Sequence, residues 1–180
     1  MKTHLALLRG INVSGQKLIK MEDLRKLLEN EGFENVRTYI QSGNVIFDNA
    51  SSAKEELAQQ ISGAIKRQYG FEVTVVMADK RLLKRTVVEN PFLENAESKQ
   101  LYVAFLSEIP AAENIEKMSQ AAIAPDEAII IDDVMYLKYA VGAGQSKLTN
   151  SLIENRLKVK ATSRNWNTTL KLLELLNERK

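Results

Sequence analysis

Short apolar runs alternate with helical repeats along residues 1–78 of the chain. Residues 5–8 are all apolar and end at a polar loop, which predicts a buried strand. Val36, Thr38 and Ile40 alternate with the residues between them, and Ser42-Gly43 leads into an apolar run at 45–47, which predicts a β-hairpin. Apolar residues at helical spacing predict two helices and alternating residues predict a final strand: Met21, Leu24, Leu27, Leu28; Leu57, Ile61, Ile65; and Val73, Val75, Met77. The predicted order is βαββαβ.

The second of these helices has the clearer boundaries in the sequence. Ser52 and Glu55 have the spacing of a capping box, and Gly70 follows the last helical turn. The βαββαβ order is that of a ferredoxin-like unit, in which two helices cover one face of a four-stranded antiparallel sheet. We therefore expect residues 1–78 to form a ferredoxin-like subdomain.

The second half repeats most of this order without a residue-level repeat. A helix capped by Asp79 ends at Asn90-Pro91, and we expect residues 79–98 to connect two subdomains. The elements predicted beyond it are a strand at 101–105, a helix at 115–122, a hairpin at 128–139, a helix at 148–157 and a last helix from about Asn165. Residues 99–180 thus form a βαββα subdomain, and we expect its last helix to take the place of a missing strand. The fold class is α+β.

Composition excludes several classes of protein. The chain has no cysteine, which excludes disulfides, thiolate metal sites and cysteine nucleophiles and suits a reducing compartment. The first residues do not form the apolar core of a signal peptide, and no apolar run approaches the length of a membrane span. We therefore expect a soluble, cytoplasmic protein. The 25 basic and 23 acidic residues nearly balance, so net charge does not indicate a nucleic-acid partner.

Three stretches resemble a known family. They are LLRGINVSGQKLIKMEDLRKLL from Leu7, VRTYIQSGNVIF from Val36 and SRNWNT from Ser163. Together they resemble the bacterial family catalogued as domain of unknown function 1697, and the similarity extends over essentially the whole chain. The resemblance implies a bacterial protein of two α/β parts. It brings no reaction, cofactor or catalytic residue with it.

The first candidate site comprises polar segments at strand ends, residues 9–12 and 41–44. We expect the first and third strands to be parallel neighbours in the sheet, which places the 41–44 turn at the edge where the first strand begins. The two segments are then not expected to meet. Gly43 either supplies a positive-φ turn whose amides the neighbouring polar residues satisfy, or the turn contacts a ligand.

The second candidate is the glycine-rich segment 141–147. Its glycines allow close approach of a ligand, Ser146 is placed to cap the next helix, and Lys147 would attract an anion. The segment lacks the spacing of a Walker A loop and of the GxGxxG pattern. It either binds a phosphate or only reverses the chain.

The third candidate is the segment 162–168. We expect Thr162 or Ser163 to cap the last helix and Trp166 to pack as an anchor, while Arg164 and two asparagines present hydrogen-bond donors. The donors either bind a carboxylate or phosphate or join the last helix to neighbouring loops. The predicted ligand-binding residues of the three candidates are Arg9, Asn12, Gln41, Ser42, Asn44, Ser146, Lys147, Arg164, Asn165 and Asn167.

Catalytic patterns are sparse. His4 is the only histidine, so a Ser-His-Asp triad is unsupported and a histidine metal cluster is impossible. Asp132-Asp133 and Asp126-Glu127 lie in or before a predicted turn, where carboxylates are usually solvated rather than bound to magnesium. The sequence identifies no general base and no cofactor.

Three functions remain open. The favoured hypothesis is binding of a phosphorylated or carboxylated small molecule or nucleotide, held between the halves by Arg9, Lys147 and Arg164. An RNA-binding module is the alternative, because the same element order occurs in the RNA recognition motif. Its candidate stacking residues are Tyr39, Phe47 and Trp166. The third hypothesis is a protein-interaction module. The sequence does not identify an oligomeric state.

Overall fold

The computed structural model describes residues 1–179 and divides the chain into two units. The first unit is Met1–Leu83 together with the chain from Leu172 onward, and the second is Lys84–Lys171. The division falls inside two helices, one following the first sheet and one following the second.

The first unit contains one four-stranded antiparallel sheet. Its elements are β1 (Lys2–Leu8), α1 (Met21–Asn30), β2 (Glu34–Tyr39), β3 (Asn44–Asn49), α2 (Lys54–Tyr69), β4 (Val75–Ala78) and the start of α3 (Lys80–Val88). The strand order is β2-β3-β1-β4, and β1 pairs antiparallel with both β3 and β4. The predicted strands and helices of this unit are therefore present.

The core of the first unit explains the unbroken apolar run at the start of the chain. Ala6 and Leu8 lie in the core cluster that the two helices share with the sheet. Leu5 and Leu7 alternate with them on the other face and are also fully buried. Because both faces of β1 are buried, every position from 5 to 8 is apolar.

The second unit has the same order of elements. They are β5 (Leu101–Leu106), α4 (Ala112–Ser119), β6 (Glu127–Ile131), β7 (Val134–Lys138), α5 (Asn150–Leu157), β8 (Ala161–Asn165) and the start of α6 (Trp166–Asn177). The strand order is β6-β7-β5-β8, and all pairs are antiparallel. Short 3₁₀ turns occupy Ser98–Gln100 and Ala143–Gln145.

The strand β8 corrects the prediction that the second unit lacks a fourth strand. It pairs with β5 over five residues, from Tyr102 opposite Asn165 to Leu106 opposite Ala161. The strand was missed in the sequence because two of its buried positions, Thr162 and Arg164, are polar. The apolar–polar alternation that indicates a half-buried strand is therefore absent. The last helix therefore follows the fourth strand and does not replace it.

Asp79 caps α3 as predicted, accepting a hydrogen bond from Leu82 N at 2.8 Å, but two other helices start differently from the predicted caps. The residue preceding α2 is Ala53, whose side chain makes no cap, so the predicted Ser52–Glu55 capping box is wrong. Thr149, not Ser146, caps α5 by accepting a hydrogen bond from Leu152 N at 3.2 Å. The caps were misplaced because the helices begin one to three residues later than the side-chain pattern suggests. No helix within residues 1–179 is long and apolar enough to cross a membrane.

Candidate functional site

The two polar segments of the first unit meet beside the end of β1. Leu8 N donates to Gly43 O at 2.8 Å, and Leu7 lies opposite Asn44 in the sheet. The expectation that β1 and β3 run parallel is therefore wrong. The hairpin reverses β3 relative to β2, which makes it antiparallel to β1 and brings the 41–44 turn to the end of that strand.

Asn12 holds the two segments together. Its Nδ2 donates to Gln41 O at 2.8 Å and to Ile19 O at 2.9 Å, while its Oδ1 accepts from Ile19 N at 2.8 Å. The backbone of Asn12 is left-handed, with φ at 54°, a conformation that asparagine tolerates better than most residues. We call this set of three hydrogen bonds the asparagine clasp. Asn12 is thereby committed to holding the loop.

Gly43 allows the turn to lie against β1. Its φ is +83°, and a Cβ built on it would lie 2.6 Å from Ile11 Cδ1 and 2.8 Å from Leu8 Cβ. Both contacts are closer than carbon atoms approach in folded proteins. The glycine is thus required by backbone conformation and by space.

The remaining polar residues of the turn divide into buried and accessible side chains. Asn44 is fully buried, and its Nδ2 donates to Tyr39 O at 2.9 Å and to Ser42 Oγ at 3.1 Å. Gln41 is exposed and Ser42 is half-buried. Asn44 therefore stabilises the turn, and Gln41 and Ser42 are the side chains placed to meet solvent.

Left-handed backbone is concentrated at this end of the first unit. The positive-φ residues here are Gly10, Asn12, Ser14, Gly15, Lys17, Ile40 and Gly43. Ile40 is the least expected, because a β-branched side chain rarely adopts φ of 48°. Its side chain is also 46% exposed, so burial does not compensate for the strain. Strain held at an exposed turn is a feature of ligand-contacting segments.

The joined segments carry positive charge and no carboxylate. Residues 9–20 contain Arg9, Lys17 and Lys20, and neither 9–20 nor 38–47 contains an aspartate or glutamate. Arg9 is half-buried and the two lysines are exposed. Lys17 Nζ donates to the Glu72 carbonyl at 2.7 Å, which holds the loop against the segment that precedes β4. This end of the unit suits an anion.

The glycine-rich segment of the second unit is organised around a carboxylate. Asp126 accepts from Ala140 N at 2.8 Å and from Ser146 Oγ at 2.5 Å. Ser146 Oγ in turn accepts from Leu148 N at 2.8 Å, and Lys147 is exposed. An internal anion thus occupies donors that a bound phosphate would need. We call this arrangement the aspartate clasp.

Arg164 is buried in the second sheet. It is 6% exposed, and its Nη1 donates to Thr162 Oγ1 and to Ser163 O, each at 2.9 Å. Burial lowers the pKa of Arg164 to about 10. These two hydrogen bonds tie the guanidinium to its own strand.

The other residues of the third segment begin the last helix. Asn165 Oδ1 accepts from Thr168 N at 2.8 Å, so Asn165 caps α6, and the predicted caps Thr162 and Ser163 lie within β8. Asn167 is exposed, and Trp166 is buried as expected. Lys147, Arg164 and Asn167 belong to the second unit and Arg9 to the first. An anion site shared by Arg9, Lys147 and Arg164 stays a prediction.

Sequence reasoning missed a polar cluster around Arg85 in the second unit. Arg85 pairs with Asp132 at 3.2 Å and with Asp133, both in the hairpin turn that was expected to be solvated. Burial, together with Glu89 nearby, raises the pKa of Tyr136 to about 12. The partners are 47 and 48 residues apart, so no local pattern could have indicated them.

The single histidine is also buried. His4 is 4% exposed and stacks on Phe47 with 5.5 Å between ring centroids. Burial lowers its pKa, an effect that a hydrogen bond with the backbone of Ser51 only partly opposes. No group of three metal-binding side chains occurs in the part of the chain that the structure describes.

The fold places the chain in the α+β class of proteins. Within residues 1–179, two four-stranded antiparallel sheets and six α-helices form an α+β protein. The chain belongs to the family described as protein of unknown function (DUF1697), whose match covers residues 1–136. The RGIN and QSGN segments lie inside that match, and SRNWNT lies beyond it.

A solved structure supports the same architecture. The chain is similar to a conserved bacterial protein, SP0830, from Streptococcus pneumoniae, with a TM-score of 0.77 and 22% sequence identity. The similarity covers 98% of this chain and 99% of the other. No match was found among curated proteins. The family and the neighbour therefore establish the fold and leave the function unassigned.

Proposed function

We propose that this protein binds a phosphorylated or carboxylated small molecule, or a nucleotide, at the end of β1 in the first unit. The observation that carries the proposal is the asparagine clasp, which joins two segments that contain three cations and no carboxylate. A neutral amide makes the junction, so the structure of the loop brings no negative charge to the site.

The proposed roles follow from burial and hydrogen bonding. Gly43, Asn12 and Asn44 hold the loop and turn in place and are not expected to meet the ligand. Arg9 and Ser42 are half-buried and Gln41 is exposed, so these three side chains supply the charge and the hydrogen bonds. An arginine presents a planar fork that matches carboxylate and phosphate oxygens.

The RNA-binding alternative receives less support. Of its three candidate stacking residues, Phe47 and Trp166 are 0% and 4% exposed, and Phe47 lies in the helix-facing core. Bases stack on aromatic faces that solvent can reach. A sheet platform built from these aromatic residues is therefore not favoured.

We also propose that each unit is a ferredoxin-like fold. The support is that both units have the element order βαββαβ and that the sheets have matching orders, β2-β3-β1-β4 and β6-β7-β5-β8. In such a duplication the loop after β1 corresponds to the loop after β5. Only the first of these carries the cationic segment described above.

A thermal-shift screen tests the proposed function. The protein at low salt is screened with nucleotides, sugar phosphates and dicarboxylates, since ligand at 100 times its dissociation constant stabilises the folded state by about 2.7 kcal/mol. We expect one class to raise the melting temperature of the native protein and not of the Arg9→Ala variant. Arg67→Ala, which removes an exposed arginine of the same unit, is the matched control and should respond like the native protein. An equal response of Arg9→Ala, or silence of the native protein throughout the screen, rejects the proposal.

A further inference from the structure

The two sheets expose equivalent edge strands of different character. In the first unit the edge is β2, and in the second it is β6. Each pairs on one side only with the strand that follows it in the chain. An open edge presents a row of backbone donors and acceptors on which another strand can be added.

The edge strand β2 is protected against such pairing. Its register shifts between Glu34 and Arg37, and Asn35 between them has φ of 50°. Arg179 Nη2 donates to Asn35 O at 2.5 Å, so one of the carbonyl groups is already used. A bulge, charged side chains and a covered carbonyl are the usual means by which an edge is closed to pairing.

The edge strand β6 has no bulge, and its one charged residue, Glu127, lies at its first position. It pairs with β7 in unbroken register from Glu127 opposite Lys138 to Ile131 opposite Val134. The residues after Glu127 are Ala128, Ile129, Ile130 and Ile131, and Ile129 is 41% exposed. Among residues 1–179 no strand pairs with its outer side. A regular, apolar, open edge is a surface for adding a strand.

We propose that β6 pairs antiparallel with β6 of a second copy of this chain, about a two-fold axis through Ile129. In that register Ile129 faces Ile129, and Ala128 faces Ile130 of the other copy. Glu127 faces Ile131, so no carboxylate within the strand meets another carboxylate. Ala128, Ile129 and Ile130 then each face an apolar side chain, and the sheet continues through two copies.

The charges around β6 favour a second copy over a basic partner. Glu127 is paired with Lys138 at 2.8 Å, and Asp132 and Asp133 are paired with Arg85. Asp126 accepts hydrogen bonds from Ala140 N and Ser146 Oγ. A basic strand would have to displace these internal partners, whereas a second copy of β6 leaves them in place. The register sets Asp126 opposite Asp132 just past the strand ends, so salt should strengthen the pairing by screening them.

Single cysteines test both the partner and the register, because the native chain has none. Directly opposed residues of an antiparallel pair have Cα atoms about 4.5–5.5 Å apart, within the range that a disulfide spans. Under oxidation Ile129→Cys should therefore give a covalent dimer on non-reducing gels. Leu170→Cys, at a site of matching exposure (40%) on α6, should stay monomeric. A monomeric Ile129→Cys protein, or equal cross-linking of both variants, overturns the proposal.

Sedimentation velocity of the unmodified chain supplies an independent readout. We expect a monomer–dimer equilibrium whose dissociation constant falls as salt is raised. Ile129→Lys should raise that constant at least about tenfold, since like charges directly opposite destabilise a strand pair. Leu170→Lys should leave it unchanged. A native chain that is monomeric up to about 1 mM rejects the pairing, because that limit corresponds to an association weaker than about 4 kcal/mol.

Discussion

The asparagine clasp of the first unit and the aspartate clasp of the second hold comparable loops by different chemistry. Asn12 joins its loop to the 41–44 turn through an uncharged amide that donates to two carbonyls. Asp126 holds the 140–148 loop through a carboxylate that accepts from an amide and a hydroxyl. The first adds no negative charge to the two segments that it joins, and the second fills its loop with a negative charge. The comparison shows that the donors of a glycine-rich loop can be occupied by an internal carboxylate, as the donors of Ala140 and Ser146 are by Asp126.

The largest difference between the two loops is expected at their glycines. Gly43→Ala should destabilise the fold by about 2–5 kcal/mol, the sum of a left-handed residue and of overpacking against Ile11 and Leu8. Gly144 has no positive φ, and a Cβ added to it would meet nothing within 4 Å, so Gly144→Ala should change stability by less than about 1 kcal/mol. Urea unfolding followed by circular dichroism measures both. Equal effects would mean that the turn does not pack on β1 as described.

Exchanging amide and carboxylate in the two clasps is expected to give the next largest change in stability. Asn12→Asp loses both donors and sets a carboxylate against the carbonyls of Ile19 and Gln41, at a cost of about 2–3 kcal/mol. It should also abolish any ligand-induced thermal shift at the first unit. Asp126→Asn keeps one acceptor and should cost only about 1 kcal/mol. Full ligand response in Asn12→Asp would contradict the proposed site.

The starts of α2 in the first unit and α5 in the second are expected to differ by a smaller amount. Thr149→Ala removes the hydrogen bond to Leu152 N and should destabilise α5 by about 1 kcal/mol. Ser52→Ala should be neutral within about 0.5 kcal/mol, because α2 begins after Ala53 without a side-chain cap. Chemical denaturation of the two variants measures both changes in stability. A measurable loss in Ser52→Ala would restore the capping box that the sequence suggested.

The smallest effect is expected from pH and belongs to the first unit, which holds the only histidine. Burial lowers the pKa of His4 below its ordinary value of 6.5, and Lys54 and Lys2 act in the same direction while Ser51 and Asp79 oppose it. The unfolded chain therefore binds the proton first as pH falls. The stability that neutral His4 contributes is fully present above pH 6.5 and is lost as the pH falls from 6.5 toward the folded-state pKa of His4.

Replacing the imidazole tests that origin. His4→Phe keeps a ring to stack on Phe47 and removes the titrating group. Urea midpoints measured at pH 7 and at pH 5.5 should differ less in this variant than in the native protein. An unchanged pH dependence would assign the effect to carboxylates such as Asp79. Burial alone would raise the pKa of Asp79, but the hydrogen bond from Leu82 N and the charge of Lys54 oppose burial, and the pKa is lowered.

Local pattern determined most of the secondary structure. Helical spacing of apolar residues and short runs of apolar or alternating residues depend on positions close in the chain, so strands β1 to β7 and the α-helices could be predicted from them. The strand β8 was hidden because Arg164 occupies a buried position in it, and burial of a charged residue is not visible in the sequence. The candidate site residues were named as polar side chains in segments at the ends of predicted strands and helices.

Tertiary structure alone decided which of those residues meet. Strand pairing brings Asn12 to Gln41 across 29 positions of sequence, and helix α3 brings Arg85 to Asp133 across 48. Tertiary structure also decided that Ser146 donates a hydrogen bond to Asp126 and that Asn44 is buried. The sequence by itself determines element types and the chemistry available in each loop, because these depend on backbone preference and side-chain type over a few residues. Partner choice depends on the register and direction of distant strands, which are set by how the whole sheet buries its apolar faces.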